Sequence, residues 1–235
     1  MRINRFIAQS GITSRRKAEE LVKNGKVVVN GKVLSDLSYI VQEHDKVLVN
    51  GKITKLNESF SYLMFHKPKG CVTTVSDDKG RKTIYDYLNL KNKRLFPIGR
   101  LDYDTEGLLL LTNDGHLANI IMHPKYQISK RYEITVKGEI TDTDIKKLSS
   151  DIVLDDGIVN VSNVNKIFVS PEKSKISISI IEGRNRIVRR IFEYLGKEVL
   201  FLKRTEVGPI KLGGLPRGKS RYLTPKEIKL LKDIN

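Results

Sequence analysis

Hydrophobic positions along the chain fall into short blocks of two different periods. Ile3, Phe6 and Ile7 recur at helical spacing, and Gly11 closes that block. Ser14 can cap a second helix with Ala18, Leu21 and Val22 on its inner face and Gly25 as its stop. Val27-Val28-Val29, Asn30-Gly31 and Lys32-Val33-Leu34 predict a hairpin with a type I′ turn, and a strand over 47–49 ends at Asn50-Gly51. Residues 55–59 are polar and aperiodic, the pattern of a linker. Tyr62 to Phe65 predicts a strand, and His66-Lys67-Pro68-Lys69-Gly70 its turn. A short helix follows around 84–88. Leu108 to Leu111 and Thr112 form an apolar run before an Asn-Asp-Gly turn; periodicity allows a buried strand or a short core helix. Asp114 can cap a helix through Leu117, Ile120 and Ile121, ended by His123-Pro124. Tyr132, Ile134 and Val136 share one strand face. Thr143 to Leu148 predicts a helix, and Asp156-Gly157 a hairpin turn. Ile176, Ile178 and Ile180 alternate with serines, predicting a half-buried strand. Ile187, Val188, Ile191, Phe192 and Leu195 return to helical spacing, with Gly196 as stop. Thr224-Pro225-Lys226-Glu227 is a capping box that opens a terminal helix. Strands dominate after residue 61 without a βαβ repeat, so the fold class is α+β with a mostly antiparallel sheet.

Composition narrows the partners. The 235 residues suffice for one or two domains, and a 39% hydrophobic content is ordinary for a packed core. The net charge of +16 favours a polyanionic partner. Residues 1–56 carry eleven Lys and Arg against five Asp and Glu, more than a third of that net charge. Arg15, Arg16 and Lys17 fall in the first turn of the second helix, where positive charge opposes the helix dipole. Local stability does not explain that cluster; a phosphate-facing role does. With Cys71 the sole cysteine, no internal disulfide can form, which is compatible with a reducing cytoplasm. The chain lacks both an 18-residue apolar run and an apolar leader, so no membrane association is expected. His44, His66, His116, His123 and Cys71 lack zinc-ligand spacing, and no metal is expected.

The candidate chemistry lies just before the leucine run, in Gly99-Arg100-Leu101-Asp102-Tyr103-Asp104-Thr105-Glu106-Gly107. Taken alone, this polar loop reads as a surface turn. From Gly99 to Thr112, however, the chain resembles throughout the signature of the ribosomal RNA pseudouridine synthases: Gly-Arg-Leu-Asp, two residues, Ser/Thr, one residue, Gly, four apolar residues, Ser/Thr. The resemblance implies Asp102 as the catalytic aspartate and leaves Asp104 at a variable, structural position. Lys130-Arg131-Tyr132 resembles the family's Lys-x-Tyr motif, whose tyrosine stacks on the target uracil; pattern alone would make Tyr132 a core aromatic. Glu182-Gly183-Arg184 to Arg190 resembles a third motif, which implies Arg189 as the partner of the catalytic aspartate. Lys67-Pro68-x-Gly70 resembles the opening segment of the synthase domain. Residues 2–52 resemble the S4 RNA-binding module, on Gly11, Ser14-Arg15-Arg16, Gly25 and Val27-x-Val29-Asn30-Gly31.

These resemblances imply an S4 module over 1–56, a linker over 57–60 and a synthase domain over 61–235 with a mixed, mostly antiparallel sheet flanked by helices. Asp102 is expected to be catalytic, with Tyr132, Arg189, Arg100 and Lys130 binding substrate. Arg15, Arg16, Lys17, Lys23, Lys26, Lys32, Lys67, Arg184 and Arg186 are expected to contact RNA. The reaction turns uridine into its C5-linked isomer without redox change, so no cofactor is expected. Arg189 would favour the ionised aspartate, since an opposite charge within ~4–6 Å lowers a carboxylate pKa. Attack at C1′, addition at C6 and a glycal route all remain open. The expected partner is ribosomal RNA or a pre-ribosomal particle, acted on by a cytoplasmic monomer. Residues 103–115, 117–119 and 122–124 look most like the large-subunit branch, with the small-subunit branch as the alternative. A non-catalytic RNA binder has no need of Asp102, Tyr132 and Arg189 together. A retaining glycosidase would need two carboxylates ~5–5.5 Å apart, which Asp102 and Asp104 could supply, but the basic charge and the S4 resemblance oppose it.

Overall fold

The computed structural model describes residues 1–57, 59–90 and 93–234. Glu58, inside the expected linker, lies outside them. The chain divides into two compact units. One comprises Met1–Ser61 with Leu90–Leu95 and Asn113–Gly115; the other holds the remainder.

The first unit pairs α1 (Ile3–Gln9) with α2 (Arg15–Lys23) and adds β1 (Val27–Val29), β2 (Lys32–Val33), β3 (Val47–Val49) and β4 (Lys52–Ile53). The strands form an antiparallel sheet in the order β2-β1-β3-β4. The Ser14 hydroxyl accepts the Lys17 N–H at 3.2 Å, which fixes where α2 begins. Asn30 and Gly31 take φ of 51° and 83°, the left-handed pair that a type I′ hairpin demands. Ile3, Ile7, Ala18, Val22, Val27 and Val47 make a small core from both layers.

The second unit is built on β5 (Tyr62–Lys67), β6 (Phe96–Pro97), β7 (Glu106–Thr112), β8 (Lys130–Lys137), β9 (Ile152–Leu154), β10 (Gly157–Val159), β11 (Ser162–Val169), β12 (Lys173–Ile180), β13 (Val199–Val207), β14 (Ile210–Lys211) and β15 (Ser220–Tyr222). Helices α3 (Gly115–Met122), α4 (Asp142–Leu148), α5 (Ile187–Tyr194) and α6 (Pro225–Lys232) accompany them. The main sheet runs β11-β12-β8-β13-β7-β5-β15, with β14 and β6 paired at its margins. Among the described residues of this sheet only the β13–β7 pairing is parallel, so the sheet is mixed and mostly antiparallel. The leucine run is β7, a strand rather than a helix, and it lies inside the sheet with every residue buried. Burying each of its leucines is worth ~1.5–3 kcal/mol. Tyr132, Ile134, Ile178, Val188 and Phe192 belong to one apolar core, and Met64, Leu108, Leu110, Leu117 and Leu231 to another.

Two expectations change, and one strand carries no readable period. Ser177 and Ser179 are 2% exposed, so β12 is buried on both faces rather than half-buried; the Arg131 guanidinium closes over Ser177 with a 2.7 Å hydrogen bond. The short helix near residue 84 is a single 3₁₀ turn, Ile84–Tyr87, capped by Thr83. β13 carries Lys203, Arg204, Thr205 and Glu206 in succession and bulges between Arg204 and Glu206, which hides any period-two signal.

Candidate active site

The loop before β7 is held largely through its backbone. The Thr73 hydroxyl donates to Leu101 O at 2.7 Å and accepts from Leu101 N at 3.3 Å. Gly70 N donates to Tyr103 O at 2.8 Å. Lys67, fully buried at the end of β5, sends its ammonium to Asp102 O at 2.9 Å, Thr105 O at 3.0 Å and Pro68 O at 3.1 Å. Burial pushes the Lys67 amine below its ordinary range, and the nearby Cys71, Asp102 and Asp104 oppose that shift. Arg189, buried on α5, donates to Asp104 O at 3.3 Å and Val199 O at 3.2 Å and pairs with the Asp104 carboxylate at 2.8 Å. The loop is therefore fixed, while the Asp102 carboxylate has no ion-pair or hydrogen-bond partner among the described residues.

Asp102 lines a pocket of about 480 Å³, within the usual ~300–1,000 Å³ of small-molecule sites. Its walls include Leu101, Leu110, Tyr132, Leu202 and Val207, and its polar lining comes from Arg100, Lys130, Arg184, Arg186 and Arg204. Tyr132, 7% exposed, is both a core aromatic and a wall of this pocket. The Lys130 ammonium donates to Ile128 O at 3.0 Å and Ile181 O at 2.8 Å. Burial, reinforced by the charge of Arg204, lowers its pKa to about 8.

Several expected roles need correction. Arg189 pairs with Asp104, not Asp102, and does not line the pocket. Its guanidinium sits where it can bond both the main chain and the side chain of residue 104. Lys67 is no phosphate contact: it is fully buried and its ammonium is engaged by three carbonyls. Arg184 lines the pocket, yet its guanidinium is taken by Glu182, Asp156, Gly157 O and Ile158 O. Arg190 is likewise held by Asp155 and Asp156, so with Arg189 on Asp104 three of the four arginines of the cluster are closely ion-paired. Arg186, at the left-handed φ of 47° before α5, stays half-exposed 3.6 Å from Asp104. Arg100 is exposed at the pocket rim. In the first unit Arg15, Arg16, Lys17, Lys23, Lys26 and Lys32 are all exposed, and none has an acidic partner among the described residues.

Sequence reasoning missed Arg204. It is 4% exposed, lines the pocket and stands opposite Tyr132 in the β13–β8 register. The available signal was parity: Leu202 and Arg204 are two residues apart on one strand and so share a face.

Comparison with known proteins decides the family. The family profile described as RNA pseudouridylate synthase matches residues 61–194, and that of the S4 domain matches 1–47. The chain belongs to the pseudouridine synthase family. It is 46% identical to the Bacillus subtilis ribosomal large subunit pseudouridine synthase B, covering 99% of this chain and 96% of that protein. A Xanthomonas campestris protein of the same name is 37% identical over 98% of this chain, which spans 49% of that longer protein. Among solved structures, a crystal structure of a pseudouridylate synthase superposes with a TM-score of 0.70 at 28% identity, covering 98% of this chain and 99% of that one. As a pseudouridine synthase, the enzyme breaks the N1–C1′ bond of uridine, turns the base and joins C5 to C1′. Such an enzyme has to reach a base outside its stack. Among the described residues no group of three His, Cys, Asp or Glu could hold a metal, and no helix is long and apolar enough to cross a membrane.

Proposed function

We propose that this pseudouridine synthase acts on a uridine of large-subunit ribosomal RNA, with Asp102 as its nucleophile. The observation that carries the assignment is the unpartnered Asp102 carboxylate in the pocket, on a loop anchored through Lys67, Thr73 and Arg189. A group held by its main chain keeps its side chain available while losing little ordering entropy when substrate arrives. Tyr132 provides the face for the flipped uracil; base–aromatic stacking is worth ~1–3 kcal/mol. Residues 1–56 act as a separate RNA anchor, joined through 57–60 to the catalytic part, and its exposed Arg15, Arg16, Lys17, Lys23, Lys26 and Lys32 contact phosphates. The enzyme works as a cytoplasmic monomer without a cofactor. The large-subunit target follows from the names of the Bacillus and Xanthomonas relatives.

The test uses ribosomal RNA fragments carrying uridine tritiated at C5, under single-turnover conditions. Wild type should release tritium as C5 loses its proton, and Asp102→Asn should release none while binding RNA with unchanged affinity. Tritium release by Asp102→Asn would refute the nucleophile. Carbodiimide mapping of pseudouridines in a deletion strain identifies the target; a site missing from small-subunit RNA would refute the large-subunit assignment.

A further inference from the structure

The pocket holds a buried charged group that the proposal above does not use. Arg204 is 4% exposed, and its Nε donates to Leu108 O at 2.8 Å. Its Nη2 is buried with no partner, and among the described residues no carboxylate pairs with it. A buried guanidinium left in this condition costs free energy that a folded protein ordinarily removes by pairing. The surroundings offer no relief, because the other pocket cation near it, Lys130, is electrostatically opposed to it. Two ammonium protons of Lys130 are already committed to Ile128 O and Ile181 O, whereas the Arg204 Nη2 donors are uncommitted.

Its placement is fixed from both sides. Arg204 pairs with Tyr132 on β8 and with Gly107 on β7, so Arg204 and Tyr132 share a face of the sheet, and both line the pocket that Asp102 lines. When the N1–C1′ bond breaks, its electron pair leaves with the base, and the negative charge spreads over N1, O2 and O4. That charge persists until C5 bonds to C1′, C5 gives its proton to solvent and N1 takes one up. A preorganised donor stabilises charge that develops only during reaction more than it stabilises the ground state.

We infer that Arg204 binds the uracil, its free Nη2 donating to a carbonyl oxygen of the base and stabilising the anion formed as the glycosidic bond breaks. The inference rests on the proposed Asp102 site. It makes Arg204 a catalytic residue beside Asp102 and Tyr132, and it gives the pocket a means of selecting a pyrimidine with carbonyl oxygens on its edge.

The test compares uridine with 5-fluorouridine at the target position of one RNA stem-loop. Fluorine stabilises the departing anion, so the reaction leans less on an external donor. Substrate consumption is followed in single turnover by digestion to nucleosides and chromatographic separation of each substrate from its product, with RNA affinity and thermal melting measured alongside. Arg204→Met should slow uridine conversion by ~10²–10³-fold, the usual loss for one such donor, with RNA affinity unchanged. Its defect on 5-fluorouridine should be at least about tenfold smaller. Arg204→Lys, which keeps charge but loses the fork, should fall between. Should Arg204→Met fail to melt cooperatively, the same substrate ratio is read from Arg204→Lys. Equal defects on both substrates, or full activity of Arg204→Met, would overturn the inference. Asp102→Asn is run beside them: activity there refutes the underlying site, whereas an inactive Asp102→Asn with an insensitive Arg204 variant refutes the role of Arg204 alone.

Discussion

At Gly107 the backbone of β13 occupies the space a side chain would need, and replacing the glycine isolates what that approach contributes. Its φ is 116°, and a Cβ built on it would lie 2.6 Å from Arg204 N and closer still to Arg204 O. Those atoms belong to the backbone of the parallel β13–β7 pairing, in register at Arg204 and Gly107, so no side chain can swing aside. Gly107→Ala should incur two costs. The positive φ costs ~1–2 kcal/mol, and forcing the strands apart costs ~1–3 kcal/mol, as for an overpacked core. The sum, roughly 2–5 kcal/mol, is a large part of the ~5–15 kcal/mol that holds a domain together. At ~2–4 °C per kcal/mol for a domain of this size, the melting temperature should fall by roughly 5–20 °C.

Two other glycines separate the contributions. Gly99 has φ of 73° with nothing within 4 Å of its added Cβ, so Gly99→Ala should show the backbone cost alone. Gly115 opens α3 in free space without a positive φ, so Gly115→Ala should gain up to ~1 kcal/mol of helix propensity. Melting is followed by circular dichroism, and single-turnover rates are taken well below each midpoint. Because the displaced backbone carries Arg204, Gly107→Ala should also lose activity at temperatures where it is fully folded. A melting temperature within about 2 °C of Gly99→Ala would refute the close-approach argument, since a clash of this size has no cheaper outlet.

Lys67→Met should destabilise by ~2–4 kcal/mol, because three loop carbonyls lose a charged donor, and should slow single turnover with little change in RNA affinity; weakened RNA binding at unchanged stability would return Lys67 to the phosphate contacts. Lys130 titrates near 8 when folded and near its ordinary 10.5 when unfolded, so between those values the unfolded chain binds more protons and the Lys130 contribution to stability rises with pH. Denaturant melts from pH 7 to 11 should show that rise in wild type and lose it in Lys130→Met; parallel curves would contradict the assignment. Combining Arg15→Ala, Arg16→Ala and Lys17→Ala should flatten the log–log salt dependence of RNA binding by ~0.7–0.9 for each phosphate no longer neutralised, and an unchanged slope would remove the helix from the RNA surface.

Most of the fold was legible because local signals and global packing agree. Ser14 caps α2, Asn30-Gly31 turns the first hairpin, Thr224 and Glu227 cap α6, and the Tyr132–Ile134–Val136 alternation faces the core. The leucine run was ambiguous for a physical reason: a strand buried on both faces has no period to read. β13 escaped notice because its inward positions include Arg204 and its register slips at a bulge. Charge pairing was the least legible layer. The Arg184–Arg190 cluster reads as basic in one dimension, whereas Glu182 and the turn at Asp155-Asp156 return to neutralise Arg184 and Arg190.

The same limit explains the exchange between the two aspartates of the signature loop. They lie two residues apart, and sequence offers no means of deciding which one an arginine on a distant helix will meet. In the structure Asp104 takes Arg189 at 2.8 Å and Arg186 at 3.6 Å, while Asp102 is held through its carbonyl oxygen by Lys67. Both arrangements position the loop, but only the second leaves a carboxylate uncommitted. An ion pair on Asp102 would have to be loosened or shared before that carboxylate could bond to carbon. Pairing Asp104 instead fixes the loop at no such cost, because a buried arginine anchored to Val199 O and Asp104 O stays in place whatever happens at residue 102. The residue at the variable position of the motif therefore bears the structural charge, and the one at its fixed position keeps a carboxylate without an ion pair among the described residues.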